Sequence, residues 1–207
     1  MNSYGKYTYP LFESILVKDG KIPHLSWHQQ RVTYSYEQLF GGACPFDLQR
    51  ILSIPRQCRE MGTTYKLRFF YHATGYDTDC SPYHPRRIRN FALVTSDDTD
   101  YPLKYTDRTA LERLRKKSGA DEIIIVRRGM ITDTSFSNLA FFDGTEWHTP
   151  HLPLLRGTAR ERLLRQGVIR EKPIYPETLD RYSRFSLINA LLEWGQQEFD
   201  TALIHGG

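Results

Sequence analysis

Four stretches of this sequence hold side chains able to do chemistry. Leu103-Lys104-Tyr105-Thr106-Asp107-Arg108 sets a lysine between a proline-bearing linker and a helix; alone, it reads most simply as a solvated lysine. Residues 129–142 (GMITDTSFSNLAFF) place one acid, Asp133, amid short hydroxyl residues and between strongly apolar strands. The plain reading there is a hairpin whose Thr, Ser and Asn residues make local turns. Gly157-Thr158-Ala159-Arg160 opens a helix, where backbone N–H groups and the helix dipole together favour an anion. His28-Gln29-Gln30-Arg31 puts two basic side chains three apart, ordinarily a solvated helix face.

The elements that must position these groups alternate between strands and helices. Residues 7–17 are rich in aromatic and β-branched types and run into Asp19-Gly20, a type I′ hairpin signal followed by a short return strand at Lys21-Ile22-Pro23. Ser26 is placed to cap a helix through Phe40, stopped by Gly41-Gly42. Residues 46–61 read as two short helical pieces broken at Pro55. Strands are expected at 63–73 and 88–96, joined by a polar stretch, and a helix at 107–117 closing at Gly119. Strands follow at 122–126 and 130–132, then a hairpin of 138–142 with 146–149 around Asp143-Gly144. A helix from Thr158 to Arg165, a strand at 168–174, a short helix at 176–182, a strand at 184–188 and a final helical stretch from Asn189 complete the pattern. The fold class is α+β in two small α/β domains: an N-terminal one over 1–96, a linker over 97–103 and a C-terminal one over 104–207.

Composition bounds the function. The chain has 207 residues, 40% hydrophobic and 25% charged, an ordinary globular balance. Thirteen tyrosines and eleven phenylalanines supply a core or pocket rich in aromatic area. A net charge of +4 suits an anionic ligand but is too small to argue for nucleic acid. No run of about 18 apolar residues marks a membrane span, and the N-terminus lacks the apolar stretch of a secretory signal. Cys44, Cys58 and Cys80 fit neither a disulfide framework nor a zinc spacing. The expectation is a cytoplasmic protein with reduced thiols and no metal.

In order and spacing, these stretches resemble the class IV aminotransferases, enzymes of pyridoxal 5′-phosphate (PLP) fold type IV. The family pattern F-E-(T/S)-I-x-V-x-x-G corresponds to residues 12–20, H-x-x-R to His28 and Arg31, and the Schiff-base lysine to Lys104. G-x-(I/V)-T-E-x-(T/S)-x-S-N-(I/L) corresponds to 129–139, the T-P pair to Thr149-Pro150 and the G-(I/T)-x-R phosphate turn to 157–160. The resemblance runs from Phe12 to about Leu191. It implies the D-amino-acid aminotransferase-like architecture, a homodimer and a PLP cofactor. By resemblance Lys104 carries the cofactor and shuttles the substrate proton, and Asp133 faces the pyridine nitrogen and keeps it protonated. Arg31, Ser137, Asn138, Gly157, Thr158, Ala159 and Asn189 complete the cofactor set, the phosphate being met by Arg31, Thr158 and Ala159. Arg68, Tyr105 and Arg108 fall to the substrate, and His28 is read as a packing residue behind the site.

Departures from the pattern bear on substrate more than on cofactor. Asp133 stands where most of the family has glutamate. Only eleven residues precede Phe12, Lys104 and Asp133 lie closer than expected, and the closing strands look curtailed. The family includes transaminases of branched-chain or D-amino acids and 4-amino-4-deoxychorismate lyase, which releases pyruvate and leaves 4-aminobenzoate for folate synthesis. Arg108 four positions after Lys104, Asn189-Ala190-Leu191 and the short chain favour the lyase. The alternatives are a transaminase and a PLP-binding relative without turnover.

Overall fold

Residues 11–18 alternate between a set destined for an apolar core (Leu11, Ile15, Val17) and a set facing the other way, the period-2 signature of a strand. They form β1 (Leu11–Lys18), which pairs antiparallel with β2 (Thr64–Tyr71), itself paired with β3 (Tyr76–Pro82). Asp19 and Gly20 both have positive φ, the type I′ geometry, but only the Lys18–Lys21 bridge follows. The return strand stops there because Pro23 has no N–H to offer a ladder. β1 finds its partner some fifty residues later instead.

The computed structural model describes residues 9–206; the beginning of the expected first strand, at Tyr7, lies outside them. The chain forms two units, Met1–Pro85 with Leu103–Asp107, and Arg86–Pro102 with Arg108–Gly207. In the first, helix α1 (Leu25–Phe40) covers the face of the sheet carrying Leu11, Ile15, Val17, Tyr65, Leu67, Phe69 and Tyr71. α1 starts at Leu25 after His24 in the left-handed region and without a side-chain cap, so Ser26 does not take the capping position. A four-residue helix α2 (Leu48–Ile51), capped by Asp47, and a 3-10 turn (Arg56–Cys58) after Pro55 close the unit. Each fully buried residue such as Ile15 or Leu67 contributes roughly 1.5–3 kcal/mol of transfer free energy.

The second unit stacks two sheets. In one, β4 (Phe91–Thr95) and β5 (Glu122–Arg127) run parallel, joined through helix α3 (Thr109–Ser118), with β6 (Met130–Thr134) antiparallel on β5. In the other, β7 (Asn138–Phe142) lies between β8 (Trp147–Pro150) and β10 (Arg184–Ile188), with β9 (Arg170–Lys172) and β11 (Glu198–Asp200) at the edges. Helix α4 (Thr158–Arg165) links β8 to β9. The last strand, β12 (Ile204–His205), adds to β4.

Three expectations change. The polar stretch after residue 73 contains β3, an edge strand whose mostly exposed YDTDCSP sequence has no apolar alternation to announce it. The tail after Asn189 forms no α-helix, only a 3-10 turn at Thr201–Leu203: Gly195 has φ 77° and Phe199 packs against Phe91 and Phe185 at 4.9 and 5.5 Å, so aromatic burial outweighs local helix propensity. The boundary expected at 97–103 is also drawn differently. β4 belongs with β5 through its parallel ladder, and residues 103–107 return to the first unit by pairing along β1.

Candidate active site

Lys104 is fixed by its backbone. The Phe12 N–H donates to the Lys104 carbonyl at 3.1 Å, the Thr106 N–H to the Pro10 carbonyl at 2.8 Å, and Tyr105 bridges Leu11. The Tyr105 N–H also donates to the Leu103 carbonyl at 2.8 Å, a three-residue turn centred on Lys104. The segment is thus tied to the start of β1, and the Lys104 Nζ lies 4.9 Å from the centre of the Phe12 ring. The Tyr105 side chain packs against the apolar core of the unit.

Phe12 pairs with Phe70 across the sheet, and their rings stack at 6.0 Å. The Arg68 guanidinium sits 5.2 Å above Phe70. Arg68 also forms an ion pair with Asp79, its direct cross-strand neighbour on β3. One face of this sheet therefore presents two cations, Lys104 and Arg68, each seated on a phenylalanine of a stacked pair.

The opposite face buries an ion cluster. Glu13, fully buried, accepts from Arg31 Nε at 2.8 Å and Nη2 at 2.5 Å, and contacts His28 Nδ1 at 2.7 Å. Burial opposes its ionisation, but the Arg31 charge and the hydrogen bonds from His28 and Arg31 prevail and hold the carboxyl at about 2. Burial pushes His28 below its usual range, against the pull of Glu13, so His28 serves the cluster from within the core. In the sequence Glu13 stands only as part of the motif over residues 12–20. An acid at an inward strand position, opposite a helix bearing H-x-x-R, was the available signal for its part in orienting Arg31.

In the second unit the position of Asp133 comes from a bulge. Ile124 pairs with Thr134 and Val126 with Ile131, so Thr132 and Asp133 together oppose the single residue Ile125. A bulge of this kind re-aims a side chain. The Asp133 carboxylate accepts from Asn138 Nδ2 at 2.8 Å on one oxygen and from the Leu155 N–H at 2.9 Å on the other. Burial dominates and pushes its pKa up to about 6, opposed by those hydrogen bonds and by the charge of Arg160. Among the described residues no cation forms an ion pair with it. The turn beyond, Thr134 to Ser137, closes through the Thr134 hydroxyl, which accepts from the Phe136 and Ser137 N–H groups at 3.3 and 2.9 Å.

Asn138 joins this acid to the start of α4. Its Nδ2 also donates to the Leu155 carbonyl at 2.8 Å, and a Cβ on Gly157 would clash with its Oδ1. Glycine at 157 thus leaves the space that Asn138 occupies. Gly157 caps α4 without a side chain, and the N–H groups of Thr158 and Ala159 have no hydrogen-bond partner among the described residues, as expected for a first helical turn. Arg160 holds the helix start in place. It is 1% exposed and donates to Thr149 Oγ1 at 3.3 Å, the Pro150 carbonyl at 2.8 Å and Glu171 at 2.7 Å. Ser137 accepts from Asn189 Nδ2 at 2.7 Å, and Arg108 donates a terminal N–H to the Ser135 carbonyl while its buried Nε has no hydrogen-bond partner among the described residues.

The structure thus gathers Asp133, Asn138, Gly157, Thr158 and Ala159 around one end of α4, with Ser137 and Asn189 paired beside the 134–137 turn. It gathers Lys104 and Arg68 on one face of the first sheet, and buries Arg31 with Glu13 on the other.

These geometries define a class: two α/β units, a lysine held at a strand edge, and a buried acid beside a helix start rich in donors. A family model described as amino-transferase class IV matches residues 10–196, and the chain belongs to that family. Its architecture is that of fold type IV PLP enzymes. An uncharacterized protein of Haemophilus influenzae is 36% identical over 186 residues, covering 88% of this chain and 98% of that protein. A crystal structure from Haemophilus somnus, described provisionally as a 4-amino-4-deoxychorismate lyase, is 38% identical with a TM-score of 0.83, covering 89% of this chain and 97% of that one. A hypothetical aminotransferase from Mycobacterium tuberculosis, in its PLP-bound form, shares the fold at 18% identity and a TM-score of 0.70, with 88% and 78% coverage. Members of this family typically bind PLP. No helix among the described residues is long and apolar enough to cross a membrane.

The residues present fit that cofactor. A desolvated carboxylate with a raised pKa and no ion-pair partner among the described residues is suited to a pyridinium N–H. The donors of Thr158 and Ala159 are suited to a phosphate.

Proposed function

We propose that the protein is a PLP-dependent lyase that converts 4-amino-4-deoxychorismate to 4-aminobenzoate and pyruvate, serving folate synthesis. Bound PLP supplies an electron sink when its ring nitrogen carries a proton. Asp133 holds that proton through its carboxylate, and Asn138 and the Leu155 N–H fix the carboxylate's direction. The Thr158 hydroxyl and the N–H groups of Thr158 and Ala159 would take the phosphate, aided by Asn189. Lys104 would hold the cofactor through its amine, and the same amine would move the proton of the carbon bearing the substrate's amino group.

One observation carries the choice of lyase over transaminase: the 38% likeness, over nearly the whole of both chains, to the Haemophilus somnus protein. Arg108 supports it. A half-buried cation whose Nε has no hydrogen-bond partner among the described residues suits the second carboxylate of a dianionic substrate.

The test is incubation of the PLP-loaded protein with aminodeoxychorismate, following 4-aminobenzoate by fluorescence and pyruvate by a coupled dehydrogenase. Equimolar products, lost in Lys104→Ala, are expected. Glutamate or pyruvate formed from amino-acid and keto-acid pairs, with no 4-aminobenzoate, would give the transaminase instead. Cofactor binding with no change on any amino compound would give the inactive relative. We also propose a homodimer; a monomer in light scattering at micromolar concentration would contradict it.

A further inference from the structure

Arg68 and Lys104 are set on the same sheet face by register. Phe12 lies opposite Phe70, Lys104 is over the first ring and Arg68 over the second. The Arg68 side chain is 18% exposed, and Asp79, directly across from it on the edge strand, is 45% exposed. The arginine placed to meet a substrate carboxylate therefore already holds a carboxylate from the protein.

We infer that Asp79 is a specificity-determining residue that competes with the substrate carboxylate for Arg68. This rests on the reading above, in which Lys104 anchors the amino end of the substrate. Aminodeoxychorismate carries its ring carboxylate across the ring from its amino group, so a cation set beside Lys104 on the same face suits that anionic end. Asp79 neutralises Arg68 and repels an incoming anion. A carboxylate must exchange with it, and ligands without a carboxylate gain nothing from the exchange. A like charge roughly 5 Å away in partly exposed surroundings weakens anion binding by about tenfold. The effect falls as salt screens it.

The experiment compares wild type, Asp79→Asn, Asp79→Ser and Arg68→Gln as full-length proteins whose folding is checked by circular dichroism. Calorimetry on the cofactor-free proteins measures 4-aminobenzoate and, as a probe without a carboxylate, aniline. Asp79→Asn is expected to bind 4-aminobenzoate about tenfold more tightly than wild type at low salt, with the gain shrinking in 0.5 M salt. Aniline binding stays unchanged, and Arg68→Gln combined with Asp79→Asn loses the gain. In the loaded enzyme KM falls while kcat holds. Equal 4-aminobenzoate affinity in wild type and Asp79→Asn, an equal gain for aniline, or no binding by any variant would overturn the inference. Absence of turnover with aminodeoxychorismate would remove the proposed reaction, yet the calorimetric comparison would still decide the part played by Asp79.

Discussion

Glu13→Gln changes almost no volume and removes one buried charge. The carboxyl is held at about 2 instead of its ordinary 4.5, a difference of about 2.5 units, or roughly 3 kcal/mol favouring the folded carboxylate. A second route gives the same size. Breaking a buried ion pair by removing one partner costs about 3–5 kcal/mol, and the Arg31 side chain, 10% exposed, is left without its bidentate acceptor. The loss is a large part of the 5–15 kcal/mol typical of a domain. Its pH dependence has a definite sign. The folded carboxyl is depressed, so its stabilisation is fully present above pH 4.5 and is lost as pH falls towards 2. Urea unfolding of wild type and Glu13→Gln, at several values between pH 7 and pH 2.5, measures it. Of the three tryptophans, only Trp27 lies in the first unit, so a background with Trp147 and Trp194 replaced by phenylalanine confines the fluorescence signal to that unit. A difference near 3 kcal/mol at pH 7 that narrows steadily below pH 4.5 is expected. A difference under 1 kcal/mol, or one that stays constant with pH, would refute the reasoning.

Other perturbations probe the second unit. Asp133 is raised from 3.8 to about 6, so in the cofactor-free protein its ionisation costs roughly 3 kcal/mol above pH 6. Stability from this group should increase as pH falls from 6 towards 4, and a carboxyl signal titrating near 4 in infrared difference spectra would contradict that. In Gly157→Ala the new Cβ meets Asn138 Oδ1 and pushes Asn138 away from Asp133 and Leu155. PLP affinity is expected to fall at least ~10-fold with about 1–3 kcal/mol of stability, and fluorescence titration with PLP at unchanged affinity would count against it. Arg160→Met strips Thr149, Pro150 and Glu171 of a shared buried donor; a loss of about 3–5 kcal/mol is expected in chemical unfolding.

The candidate site was legible through the order and spacing of its motifs, which resemble those of the class IV aminotransferases. A lysine before a helix, an acid among hydroxyls and a Gly-Thr helix start each read plainly when taken alone. The geometry joining them was less legible. Nothing in the sequence around Thr132 and Asp133 declares the bulge, since it arises from the register imposed by β5. Glu13 and Asp79 were missed as partners because both pairings are long-range, to a helix 18 residues on for Glu13 and to a facing strand for Asp79. The helix ends at Phe40 and Ser118 were readable from Gly41 and Gly119, both at positive φ. The tail was not, because Phe199 is decided by its packing against Phe91 and Phe185.

The central claim is that Lys104 carries the cofactor. The protein is incubated with PLP, desalted, reduced with borohydride and digested, and its peptides are weighed. A single pyridoxyl adduct on Lys104, absent in Lys104→Ala, is the predicted result. A folded protein with no adduct, or with the label spread over other lysines, would contradict the account.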